Sequence, residues 1–158
     1  MRADPRVDWM KEAVELSKRC PPSKTAFSVG AVLVHSSGRL IATGYSREVG
    51  AEHAEEVALE KARRAKADLV GSTLFSTLEP CSVRASGKAP CAARLIEAGI
   101  ARVVFALHEP NVFVDCQGAK MLADAGIDVV VRVEFAPAVR QINAHLLPEV
   151  GQPGGPSE

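Results

Sequence analysis

Glu97-Ala98-Gly99-Ile100 leads into Val103-Val104-Phe105-Ala106, and Asp124-Ala125-Gly126-Ile127 leads into Val129-Val130-Val131. Both passages follow one scheme. A helix closes on glycine, the residue that most readily takes the left-handed C-terminal turn, and an unbroken apolar strand begins. Strands without polar alternation fit a sheet covered on both faces, as parallel strands joined by helices are. The pair therefore predicts an α/β architecture.

Toward the N-terminus the pattern changes to a hairpin. Phe27 to Val34 and Leu40 to Tyr45 read as strands joined by the turn-forming Ser36-Ser37-Gly38, an antiparallel pair. Ahead of them, Asp4 and Pro5 suit an N-cap and the first helical position. Trp9, Met10, Ala13, Val14 and Ser17 share one face, so residues 5 to 19 read as an amphipathic helix stopped by Pro21-Pro22. A second helix is expected from Glu52 to about Lys66, with Ala54, Val57, Ala58, Leu59 and Ala62 on its apolar side and Glu60 within reach of Arg64. Ser72 to Thr77 reads as a strand, and Pro90-Cys91 opens a further helix. A last helix is expected from about Pro137 to Leu147. The sum is an α/β sandwich around a five-stranded mixed sheet, one domain over residues 1–147. Residues 148–158, rich in glycine and proline, are expected to form a flexible tail.

Three side chains far apart in this chain have metal-ligand chemistry. His53 lies in Gly50-Ala51-Glu52-His53-Ala54-Glu55, Cys81 closes Thr77-Leu78-Glu79-Pro80-Cys81, and Cys91 follows after nine residues. One imidazole and two thiolates hold Zn²⁺ in three of four tetrahedral positions and leave the fourth for water, the pattern of a catalytic rather than a structural zinc. Both ligand groups are predicted in the first turns of helices, where the partial positive charge favours thiolate. Glu55, two residues beyond the histidine, is a carboxylate free to act as base first and acid later. Alone, His-Ala-Glu reads as a solvated helix start, and a Cys pair nine residues apart says as little. Their joint order, with Pro80 immediately before the first cysteine and a strand leading into it, points to one site. Glu79 is expected to hold the ligand loop by accepting backbone hydrogen bonds. Cys116 reads as an ordinary buried thiol, and His35, His108 and His145 as surface or turn residues.

Bulk properties narrow the partners. The chain has 158 residues, 47% of them hydrophobic and 24% charged, as in an ordinary globular domain. Lys+Arg and Asp+Glu both number 19, so the formal net charge is zero, without the basic surplus of a nucleic-acid binder. No apolar run is long enough to span a membrane. Asp8, Lys11 and Glu12 interrupt any signal-peptide core, so a cytoplasmic location with reduced cysteines is expected.

At these residues the chain resembles the cytidine/deoxycytidylate deaminase superfamily over roughly residues 8–147, since H-x-E followed by P-C…C is the signature of zinc-dependent base deaminases. Within it the chain looks most like the deaminase domain of the riboflavin-pathway bifunctional deaminase/reductase, on the strength of Thr77-Leu78-Glu79-Pro80-Cys81-Ser82, the long gap to Cys91, and Glu109-Pro110-Asn111 after a strand. The resemblance implies a cytidine deaminase-like three-layer α/β/α sandwich, sheet order 2-1-3-4-5 with the last two strands parallel, one Zn²⁺ per chain, and a homodimer or higher homo-oligomer. It implies removal of ammonia from a diaminopyrimidinone bearing a ribosylphosphate. The chain stops where the reductase domain of such enzymes begins, so a stand-alone deaminase is expected.

This sequence departs from that branch at three places. Ala26-Phe27-Ser28 stands where the riboflavin enzymes carry Asn-Pro, Val83 stands where they carry His, and one extra residue separates the two cysteines. Substrate contacts are expected from Ala54, Ser28, Arg84 and Lys88, the last two against phosphate or else as solvated loop cations. The substrate class is a small aminated pyrimidine or purine. A free cytosine- or guanine-type base, nucleoside or secondary metabolite is the alternative, with a tRNA-editing deaminase and a non-enzymatic zinc module behind it.

Overall fold

A computed structural model of the chain describes residues 7–84, 86–109 and 117–147. In chain order the elements are α1 (Trp9–Ser17), β1 (Gly30–Val34), β2 (Leu40–Tyr45), α2 (Ala54–Arg64), β3 (Thr73–Leu78), α3 (Cys91–Glu97), β4 (Arg102–Leu107), α4 (Gly118–Asp124), β5 (Asp128–Val131) and α5 (Ala136–Ile142). A short 3₁₀ turn, Val133–Phe135, leads into α5. Residues 148–158, Asp4, Pro5, Pro110, Asn111 and Cys116, all of which carried sequence expectations, lie outside the described residues.

The five strands form one sheet in the order β2-β1-β3-β4-β5. β1 pairs antiparallel with β2 and β3, whereas β3–β4 and β4–β5 are parallel. Order and sense are those implied by the resemblance.

Helices cover both faces because the sheet backbone is bare where they cross. A Cβ on Gly30 of β1 would strike the Ala13 carbonyl of α1, and one on Gly44 of β2 would strike the Ala54 carbonyl of α2. Gly44 is opposite Ala31 in the ladder, one residue along β1 from Gly30. Successive strand residues point to opposite faces, so α1 and α2 lie on opposite sides. α5 packs beside α1, while α3 lies beside α2 and α4 beside α3, completing three layers. Leu33, Leu74, Leu95, Val103, Phe105 and Leu122 are fully enclosed between them.

Four expectations are corrected, the first being the last helix, which ends at Ile142 rather than Leu147. α1 starts later than Pro5, with Asp8 as its N-cap; the Asp8 carboxylate accepts the Met10 N–H at 3.0 Å. β1 starts at Gly30 rather than Phe27, because Ser28 and Val29 bond to Asn143 and Ser46 instead of a ladder partner. Finally, β4 is buried from Val103 onward, but β5 is half-exposed: it is the edge strand, and its apolar run is only partly covered. Among the described residues no helix is long and apolar enough to cross a membrane.

Candidate active site

The parallel β3–β4 pair and the starts of α2 and α3 build the site. β3 delivers Thr77-Leu78 into the Glu79-Pro80-Cys81 turn, and the loop after Cys81 returns at Cys91, the first residue of α3. Two backbone bonds dock α3 on that turn: Ala92 N–H donates to the Cys81 carbonyl at 3.0 Å, and Cys91 N–H to Cys81 Sγ at 3.2 Å. His53 is the N-cap of α2, and Pro90 the N-cap of α3, each one place ahead of the first turn expected.

These elements bring the three ligand side chains together. His53 Nδ1 is 3.7 Å from Cys81 Sγ and 3.5 Å from Cys91 Sγ, and the three donor atoms lie within 4.8 Å of one another. Tetrahedral zinc, with Zn–S of about 2.3 Å and Zn–N of about 2.0–2.1 Å, requires sulfur–nitrogen edges of about 3.6 Å. The donor set fits zinc in both chemistry and spacing.

Electrostatics in the cluster are tightly linked. The Cys91 thiol donates to Cys81, which, with the nearby imidazole and against the effect of burial, draws the Cys81 pKa down to about 4. The same bond and deep burial push Cys91 up. The bond to Cys81, opposed by burial, raises His53 above its ordinary value. A zinc ion held by these donors would keep both thiols deprotonated.

Glu55 is buried beside them, 4% exposed, with the Ser76 hydroxyl 3.5 Å from its carboxylate. Burial pushes its pKa up to about 7, and the His53 imidazole opposes that rise. A carboxyl poised near neutrality both accepts and returns a proton.

Glu79 does what its position suggested. Its buried carboxylate accepts the Glu109 N–H at 3.1 Å and the Ala119 N–H at 2.7 Å, tying the start of α4 and the end of β4 to the ligand turn. It also meets His108 Nδ1 at 3.1 Å, a partner the sequence reading did not give that histidine. The Ser82 hydroxyl accepts Gln117 N–H at 2.8 Å, a second tie from α4.

The four expected substrate residues fare differently. Lys88 is exposed on the loop, Ser28 is half-buried just ahead of β1, and Ala54 is fully buried at the start of α2. Arg84 is neither solvated nor free: its side chain is 6% exposed and its guanidinium donates to Glu56 at 2.9 Å. Glu56 accepts the His53 N–H at 3.1 Å as well. Burial alone would raise the Glu56 carboxyl, but the His53 N–H and Arg84 hold it below its ordinary value. His53-x-x-Glu56 is the spacing of an N-cap and the third helical residue, a signal the sequence contained.

Residues 4–107 match the cytidine and deoxycytidylate deaminase zinc-binding region. The chain belongs to that family. It is 40% identical over 131 residues to the diaminohydroxyphosphoribosylamino-pyrimidine deaminase of Schizosaccharomyces pombe, covering 81% of this chain and 32% of that one. The structure of the diaminohydroxyphosphoribosylaminopyrimidine deaminase/5-amino-6-(5-phosphoribosylamino)uracil reductase of Thermotoga maritima superposes with a TM-score of 0.74 at 37% identity, over 85% of this chain and 38% of that one. Aspergillus oryzae Rib2 deaminase, solved in complex with DARIPP, gives a TM-score of 0.74 at 29% identity, over 85% and 87%. The chain spans about a third of the length of the curated relatives it matches.

Proposed function

We propose that this member of the zinc-binding deaminase family is a hydrolytic deaminase acting on an aminated pyrimidine of riboflavin synthesis, one that carries a ribosylphosphate. The observation that carries the reading is the His53–Cys81–Cys91 donor triangle, at zinc spacing, with the buried Glu55 carboxylate beside it. The relatives named diaminohydroxyphosphoribosylamino-pyrimidine deaminase support the ring and its ribosylphosphate, and those named riboflavin biosynthesis protein support the pathway.

His53, Cys81 and Cys91 are the residues that hold the metal. Zinc supplies the Lewis acidity that makes water a usable nucleophile near neutral pH. Glu55 accepts one proton from the attacking water and delivers it to the ring nitrogen, then carries the second, from the added hydroxyl, to the departing amine. Water adds at the amine-bearing carbon, the C–N bond breaks, and the products are the carbonyl compound and ammonia. Glu79 and the docking of α3 keep the ligand turn in place while protons move.

Residues 1–147 form the catalytic unit in this reading, which acts in the cytoplasm, where its cysteines stay reduced, as a homodimer or higher homo-oligomer. Lys88 is the exposed loop cation left to meet the phosphate, since Arg84 is engaged by Glu56. Val83, 54% exposed where the riboflavin branch has a histidine, favours a second reading in which an unphosphorylated base or nucleoside is accepted.

The deciding experiment offers the purified, zinc-loaded protein a panel of aminated pyrimidines and purines as bases, nucleosides and phosphorylated nucleosides, the riboflavin precursor included, and follows ammonia. Turnover of the phosphorylated diaminopyrimidine, reduced by Lys88→Ala through KM, supports the first reading. Turnover confined to unphosphorylated compounds replaces it with the second.

A further inference from the structure

Glu56 is the third residue of α2, its side chain 9% exposed, and it is not one of the groups assigned to catalysis or to the metal. Its carboxylate has three partners. The His53 N–H donates at 3.1 Å. Arg84, from the loop between the two ligand cysteines, donates at 2.9 Å. Arg94, from the helix that begins at Cys91, lies 3.4 Å away. One carboxylate therefore touches the element carrying each of the three proposed ligands.

We propose that the buried Glu56–Arg84 pair is a positioning device for the metal site, holding the Cys81–Cys91 loop and α3 against the start of α2 so that the three donors are spaced for zinc. This rests on the zinc-site reading given above.

Net stabilisation alone does not account for such a pair. Dehydrating a carboxylate and a guanidinium costs about as much as their attraction returns, so an apolar pair of similar volume serves stability equally well. What an ionic pair adds is direction. The planar guanidinium fixes the loop at one distance and angle from Glu56, and Glu56 is itself fixed by the backbone of His53. Groups that orient metal ligands typically contribute 10- to 100-fold to metal affinity.

The test compares the unaltered full chain with Arg84→Met, Glu56→Gln and the double variant Glu56→Gln/Arg84→Gln. Zinc affinity is measured by chelator competition, the cobalt-substituted site by its visible absorption, and the metal-free fold by its melting temperature. The expected result is zinc binding weakened roughly 10- to 100-fold, with altered cobalt bands, in proteins that are still folded at the assay temperature. If a single charge removal unfolds the chain, the double variant, which buries no unpaired charge, must show the same weakening. Unchanged zinc affinity and cobalt bands alongside a lowered metal-free melting temperature would make the pair merely structural and overturn the proposal. So would a raised KM for phosphorylated substrate with unchanged zinc affinity, which would make Arg84 a phosphate contact. Ammonia release by the unaltered chain is followed separately. Failure of the deaminase reading thus appears in that chain, and failure of this proposal only in the variants.

Discussion

Gly118 runs so close beneath Pro80 that a single added methyl group would collide with the Pro80 carbonyl oxygen. Pro80 immediately precedes the ligand Cys81, so α4 is pressed directly against the metal-binding turn. Gly118→Ala is expected to push the turn away, destabilising the chain by about 1–3 kcal/mol and shrinking the rise in melting temperature that zinc produces. Gly126→Ala is the control: its φ is +88° but the space around it is open. That strain costs about 1 kcal/mol and should leave the zinc-induced rise intact. Paired melting curves with and without zinc distinguish the two. Equal zinc-induced rises in both variants would mean that the close approach of α4 does not matter to the metal.

Replacing Glu55 by glutamine keeps shape and removes the proton acceptor. The side chain is almost fully buried and is not among the three clustered donors, so zinc content should be unchanged while kcat falls by about 10²- to 10⁴-fold. Ammonia release and metal analysis on one preparation check this. Zinc-loaded Gln protein with full turnover would remove Glu55 from the mechanism.

Asn143 closes the segment just ahead of β1. Fully buried at the C-terminal end of α5, it accepts the Ser28 N–H at 2.7 Å and donates to the Ser28 carbonyl at 3.1 Å and to Val139 O at 3.0 Å. Arg47 grips the same segment through the carbonyls of Pro21 and Phe27. Asn143→Ala leaves both Ser28 backbone groups without that partner, at a cost of about 1–3 kcal/mol for each such group left unsatisfied. Because Ser28 is an expected substrate contact, KM should rise more than kcat falls. Steady-state kinetics below the variant's melting transition read the split, and an unchanged KM would separate this segment from the substrate.

The legible parts of this molecule are those written locally. The glycine-closed helices and apolar strands of residues 97–131 gave the α/β class, and β2 was placed to the residue because alternation and turn chemistry coincide there. The ligand set was visible because metal chemistry restricts residue type and spacing together. What escaped depends on contacts between distant segments. Asn143 looks like any polar residue at a helix end, and nothing near it announces Ser28, 115 residues earlier. Arg84 reads locally as a phosphate-binding or solvated loop cation because its partner Glu56 is on the distant helix α2. β5 reads as covered on both faces because an apolar run does not say which strand is the edge. Glu56 alone had a local signature, the N-cap spacing from His53.

Two carboxyls near the cluster, the buried Glu55 and the half-buried Glu109, make the zinc-free chain sensitive to pH. Burial, reinforced by the charge of Cys81 and Glu55, raises Glu109 from 4.5 to about 7, and burial raises Glu55 over the same range. Between those values the folded chain holds protons that the unfolded chain has released. The contribution of these two carboxyls to stability therefore falls as pH rises from about 4.5 to about 7 and levels off above it, while Cys81, whose folded pKa is drawn down to about 4, contributes in the opposite direction. Glu109→Gln removes one titrating group, so the fall across that window should be shallower, with the difference from the unaltered chain greatest near neutral pH, where the variant is the more stable. Urea unfolding of zinc-free protein at half-unit pH steps measures both slopes. Parallel slopes in the two proteins would show that Glu109 ionises as freely in the folded chain as in the unfolded one.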